Sequence, residues 1–141
     1  MTDLRVVIAA LENFIEDIIK KVALDVVANL VRAPSQGGTP VDTGWARANW
    51  LPLIGNNGRA DAAPKFDRQA RAQNTPAVAA AQQGLIATVA TSYKIQQGPI
   101  FIINSVRYIV KLDQGTSRQA PPGFVGAAVA LAVQQAVRGT R

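Results

Sequence analysis

Asp42, Thr43 and Gly44 form the part of this sequence closest to a reactive constellation. A carboxylate in this setting, supplied once by each of two subunits, can share one proton with its twin and activate water. The rest of the inventory removes most other routes. The chain has no histidine and no cysteine. It therefore lacks the usual near-neutral general base, the thiolate nucleophile, disulfides and the commonest zinc ligands. Ser-His-Asp and Cys-His catalysis cannot be assembled within it.

The same triplet resembles the signature of aspartic proteases, but its context does not. That family places the aspartate at the end of an apolar strand and a small residue after the glycine. Here Ser35-Gln36-Gly37-Gly38-Thr39-Pro40 comes before, and bulky Trp45 follows. A three-residue match without its context is a weak signal. Asp42 and Thr43 read instead as a turn, their side chains accepting from nearby backbone N–H groups while Gly44 supplies a positive φ. The expectation is a non-enzymatic chain with no catalytic residue, no cofactor and no metal ligand.

The elements around this turn follow from periodicity. Residues 3 to 31 read as one helix, because Leu4, Val7, Ile8, Leu11, Phe14, Ile15, Ile18, Val22, Val26 and Leu30 recur at helical spacing. Thr2 or Asp3 can cap it, Glu16–Lys20 and Asp17–Lys21 are favourable i,i+4 pairs, and Pro34 with Gly37-Gly38 ends it. Such a helix is roughly 40 Å long. That is long for a domain of 141 residues, so part of it is expected to lie on a neighbour. A short helical turn over 44–49 and a strand over 49–54 come next, with Pro52 confining the strand to an edge.

Residues 55–74 lack apolar periodicity and read as a long exposed basic loop carrying Arg59, Lys65, Arg68 and Arg71. Thr75-Pro76 predicts a helix start, with 76–91 helical and a strand over 85–90 as the alternative. Residues 99–104 predict a buried strand, Tyr108–Leu112 a second apolar stretch, and 123–137 a last helix of small residues anchored by Phe124. Gly115 and Thr116 form the turn ahead of it. The whole reads as a single α+β domain over residues 1–141: a small antiparallel sheet, a long N-terminal helix, a C-terminal helix and a long exposed loop.

Composition narrows the partners. Nearly half the residues are apolar, with alanine and valine dominant and only 6% aromatic. A core of small side chains gains less burial per residue, so contacts between subunits are expected to add stability. Net charge is +6, and the excess lies beyond residue 33, since the first 33 residues hold five of the nine acids but four of the fifteen bases. A basic surface fits solubility, protein interfaces or polyanions. No signal peptide is apparent, and no uncharged apolar run approaches the roughly 20 residues of a membrane span. A soluble protein without a membrane partner is expected.

Two segments carry a resemblance. Thr39-Pro40-Val41-Asp42-Thr43-Gly44-Trp45-Ala46-Arg47-Ala48-Asn49-Trp50 is similar to the hallmark run of the head-to-tail joining, or tail-completion, proteins of long-tailed bacteriophages. In that family a Pro-Val-Asp-Thr-Gly run is followed by a basic and then a polar residue entering a strand, and Arg47 and Asn49 fall at matching places. Asn104, Tyr108, Asp113, Gly115, Thr116, Pro121, Pro122 and Phe124 then follow in the family's order. Ala46 stands where leucine is frequent, and Asp113 where glutamate is. Residues 55–98 match nothing in the family pattern.

The resemblance implies a structural subunit of the virion neck, present in host cytoplasm during assembly. It implies a ring, commonly of six copies, between a head-side connector and a tail terminator or tail tube protein. Non-specific contact with packaged DNA in the lumen is a further expectation, drawn from charge. Candidate partner or DNA contacts are Trp45, Arg47, Trp50, Arg59, Lys65, Arg68 and Arg71, and the tryptophans could equally cap the sheet. Pro40, Asp42, Thr43, Gly44, Gly115 and Thr116 are expected in turns. A tail-terminator or minor capsid subunit of the same virion is the nearest alternative. A small basic DNA-binding module is the alternative of another class, although no recognition helix or aromatic-basic strand is evident.

Overall fold

The computed structural model describes residues 3–41, 44–55 and 71–139. Helix α1 spans Leu4–Val31. Asp3 caps it, its carboxylate accepting the Arg5 backbone N–H at 2.9 Å. The chain leaves the helix at extended Arg32, and Thr39 folds back to donate its N–H to Leu30 O at 2.9 Å. Of the two expected ion pairs, Glu16–Lys20 forms at 3.7 Å, whereas Lys21 reaches forward to Asp25 at 2.9 Å instead of back to Asp17. Both choices for Lys21 are i,i+4 neighbours worth a few tenths of a kcal/mol, so local geometry decides between them.

Helix α5, Phe124–Gly139, covers the C-terminal half of α1. Val22, Val26 and Leu30 of α1 meet Phe124, Ala128 and Ala132, and Trp50 and Ala120 complete this cluster. The alanines let the two backbones approach closely, which is why a core poor in large residues still closes. The helices run antiparallel: Asn29 donates to Ala128 O at 3.1 Å, while Gly139 lies beside Lys21. Phe124 is 2% exposed, as expected of an anchor.

Between these helices run α2 (Trp45–Ala48), β1 (Leu51–Ile54), α3 (Arg71–Ser92), β2 (Ile100–Ile103) and α4 (Ile109–Asp113), with 3-10 turns at Pro34–Gln36 and Ile95–Gln97. Among the described residues the sheet is one antiparallel pair, with Leu51 opposite Ile103 and Ile54 opposite Ile100. Each strand of a pair has a free edge, so Pro52 costs no ladder bond. The sequence predicts a buried strand at β2, but all four of its residues are half-buried, and among the described residues no third strand flanks it.

Helix α3 departs most from the sequence reading. It begins at Arg71, a full turn before Thr75-Pro76, so Pro76 lies inside it and residues 71–74 are helical rather than part of the exposed loop. The proline removes one bond of the ladder near the start. Buried Val78, Gln82, Val89 and Tyr93 hold the helix against the body, and the contacts of α3 with β1 and α2 outweigh that loss. The strand alternative over 85–90 is not adopted. Thr88 and Thr91 donate their hydroxyls to the carbonyls of Gly84 and Ala87, one turn back. The rest of the expected loop, with Arg59, Lys65 and Arg68, lies outside the described residues, as do Asp42 and Thr43.

Candidate functional site: a motif frame and exposed apolar surfaces

The two resembling segments meet in space. Gln119 donates its amide to Val41 O at 2.8 Å, and its amide oxygen accepts the Val41 N–H at 2.7 Å. One side chain thus replaces a strand partner for Val41 and ties the first motif to the second across 78 residues of sequence. Asn104 adds a second tie, donating to Ala46 O at 2.8 Å while accepting the Val106 N–H at 3.0 Å.

The turns themselves need glycine for different reasons. Gly44 caps α2 with φ +82, a left-handed conformation that L side chains rarely adopt. Among the described residues a Cβ there would meet Thr75 Cγ2 at 3.5 Å, an ordinary contact, so the backbone conformation is what calls for glycine. Gly115 has φ +93, and a Cβ would also meet Pro122 Cγ at 2.7 Å. Thr116 caps the end of α4, its N–H and hydroxyl both reaching Lys111 O at 3.3 and 2.9 Å. Asp113 then starts α5: its carbonyl accepts Gly123 N–H at 2.7 Å and its carboxylate accepts Val125 N–H at 3.0 Å. The acidic residue before Gly-Thr is therefore the cap of the next helix. Pro40 is buried beside Thr39.

Trp45 and Trp50 are 7% and 6% exposed, so the described structure places them in the core and not on the surface. Trp50 Nε1 donates to Thr39 Oγ1 at 2.8 Å, and that hydroxyl donates to Leu30 O at 2.7 Å. This relay satisfies an indole N–H that burial would otherwise leave unpaired, and gives Leu30 O a second donor beside the Thr39 N–H. Trp45 lies in a second cluster with Ala46, Ala48, Val78 and Val106. Gln82, unremarked in the sequence, donates to the carbonyls of Arg47 and Trp50 at 3.1 and 2.9 Å. Arg47 itself is half-exposed on α2, and Arg71 opens α3.

A further clamp joins α1 to the end of α3. Glu16 is 5% exposed although it is charged. Its carboxylate accepts the Ile95 N–H at 3.0 Å and pairs with Lys94 at 3.4 Å and Lys20 at 3.7 Å. The backbone hydrogen bond is the main reason its pKa lies below the usual glutamate value; burial opposes the shift, and the two lysines support it. Tyr93 beside it is raised, first by burial and then by the Glu16 charge. The i,i+4 spacing reveals Lys20. No sequence signal marks Lys94 or Ile95, which are nearly 80 residues away.

Above this clamp α1 is exposed. Leu4, Val6, Val7, Ile8, Leu11, Phe14 and Ile15 are 38–70% exposed. A second set, Val129, Val133 and Val137 on the outer side of α5, is 43–53% exposed, and Val110 on α4 is 62% exposed. Isolated surface hydrophobics need no explanation, but a run of seven on one helix does. Where the α1 run meets the end of α5, Phe14, Ile18, Ala136 and Gly139 line a shallow cleft with Asp17 and Lys21.

Among the described residues, no group of three or more acidic side chains is placed to hold a metal ion, and no helix is long and apolar enough to cross a membrane. The polar groups converge on backbone atoms, where they fix turns and helix ends. No family model, no curated protein and no solved structure matches the chain.

Proposed function

We propose that this chain is a structural subunit of a long-tailed bacteriophage neck. In this reading it joins a ring between the head connector and the tail terminator or tail tube. The observation that carries the reading is the tie between the two motif segments. Residues in the family's order build much of the frame: Asn104, Asp113, Gly115 and Thr116 hold turns or helix ends, and Gln119, which lies between them and Pro121 but is not itself part of the pattern, binds Val41. A frame of fixed turns between two helices suits a subunit that must present surfaces in register. The exposed apolar residues of α1 and α5 are the kind of surface that ring contacts use.

Tryptophan contacts with a partner no longer enter this proposal, because both rings are buried. Arg47 and the basic residues 59, 65, 68 and 71 remain its proposed contacts with protein or DNA. Labelling the protein in intact particles tests the reading. Label at the head–tail junction is the expected result. Label on capsid faces or at the tail tip would replace it with a minor capsid or other tail role.

The net charge of +6 favours one second reading, a small basic DNA-binding module. That reading requires the isolated monomer to bind duplex DNA with an affinity that falls steeply with salt. On the neck reading, measurable binding requires the assembled ring.

A further inference from the structure

We infer that copies of this chain associate head to tail, the exposed N-terminal half of α1 in one copy packing on the outer valine face of α5 in the next. The inference rests on the subunit reading only in taking the chain to self-associate. The apolar stripe of α1 is continuous. Leu4, Ile8, Leu11, Ile15, Ile18 and Val22 run at helical spacing directly into Val26 and Leu30, which α5 covers. Beyond the C-terminal end of α5, at Gly139, the same face of α1 carries on uncovered. What would extend the existing packing is another apolar helix face. Among the described helices, Val129 and Val133 of α5 form such a face, adjacent to its buried stripe of Phe124, Ala128, Ala132 and Ala136.

Charge selects this pairing over a symmetric one. Over residues 3–17 the acids Asp3, Glu12 and Asp17 outnumber the one base Arg5, with Glu16 already held by Lys94 and Lys20. Over residues 105–139 the bases Arg107, Lys111, Arg118 and Arg138 stand against Asp113 alone, whose carboxylate caps α5. Two α1 tips side by side would bring like charges together, whereas a tip laid against the net-basic C-terminal segment of a neighbour brings opposite ones. The stripe also includes Val7 and Phe14, giving three apolar positions per heptad. That is broader than the two-position stripe of a paired coiled coil and fits a helix laid onto a surface.

The area is of the right order. On the α1 side, the six stripe residues Leu4, Val7, Ile8, Leu11, Phe14 and Ile15, about half exposed, leave roughly 400 Å² of apolar surface. A stable interface takes about 800 Å² from each partner, of which somewhat over half is non-polar, or about 450 Å². The two faces are different surfaces, so the contact is heterologous and each copy can bind two neighbours, closing a ring or extending a filament.

The test uses full-length protein and two charge insertions at exposed positions, Leu11→Glu on α1 and Val133→Glu on α5. Sedimentation velocity across a concentration series reads association, and circular dichroism confirms that each variant folds. Wild type is expected to associate. Each variant alone should weaken association by at least ~30-fold, because it buries a charge in an apolar contact. An equimolar mixture should form a 1:1 pair that grows no further, since one intact tip then meets one intact face. Wild type that stays monomeric at its highest soluble concentration would overturn the inference. So would Val133→Glu associating like wild type, or a mixture that remains monomeric. None of these outcomes decides the neck reading, which particle labelling tests separately.

Discussion

The two halves of α1 share one periodicity and meet opposite surroundings. From Glu16 onward the helix is held by Lys94, Ile95, α5 and the Thr39–Trp50 relay. Before Glu16 its large apolar residues are exposed. Apolar spacing therefore tells which face of a helix is to be covered, and not whether the cover comes from the same chain. The covered half should govern folding, and the uncovered half should govern association.

The largest effect should fall in the covered half. Leu30→Ala, at a position 1% exposed, should cost about 2–5 kcal/mol in denaturant unfolding. Leu11→Ala, 56% exposed, should change monomer stability by less than about 0.5 kcal/mol while weakening association. Equal costs at the two positions would erase the distinction between the halves.

Gly115→Ala comes next, at about 1–3 kcal/mol, since it combines a disfavoured φ with a clash against Pro122. Gly44→Ala has the φ cost without the clash and should lose less, about 1 kcal/mol. Thermal melts of the two variants test that order. Gln119→Ala should cost about 0.5–1.5 kcal/mol by freeing Val41, with faster exchange of the Val41 amide as its signature.

The Glu16 clamp should give the smallest effect at neutral pH and a diagnostic one in acid. Its folded pKa is lowered, so its stabilising contribution is complete above the unfolded value near 4.5 and is lost as pH falls through the folded pKa. Glu16→Gln should thus melt below wild type at pH 7, and the gap should narrow as pH drops below about 4.5. A gap independent of pH would mean that the carboxylate's charge contributes nothing to the clamp.

Much of the frame was legible. The boundaries of α1 and α5, the short helix before β1, both strands and the two motif glycines follow from spacing, caps and turn chemistry. Phe124 as an anchor follows from its position at the head of an apolar helix. The start of α3 is not legible, because Thr75-Pro76 signals a first turn, whereas the helix already runs from Arg71. The Gln119–Val41 tie and the Lys94–Glu16 pair were not legible either. They join residues 78 apart, and no local rule couples positions so distant. The sequence leaves the tryptophans open between interface anchors and caps of the sheet, because large apolar rings suit both; burial places both rings in the core, with the Trp50 N–H on the Thr39 hydroxyl. Why Lys21 chooses Asp25 over Asp17 has no sequence signal at all.

Hydrogen exchange along α1, measured on dilute monomer and on the associated form, tests the division of the helix most directly. Amides of residues 4–15 should exchange rapidly in the monomer and gain at least ~10-fold protection on association, while residues 22–31 stay protected in both. Equal protection of the two halves in the monomer, or no gain at residues 4–15 on association, would contradict it.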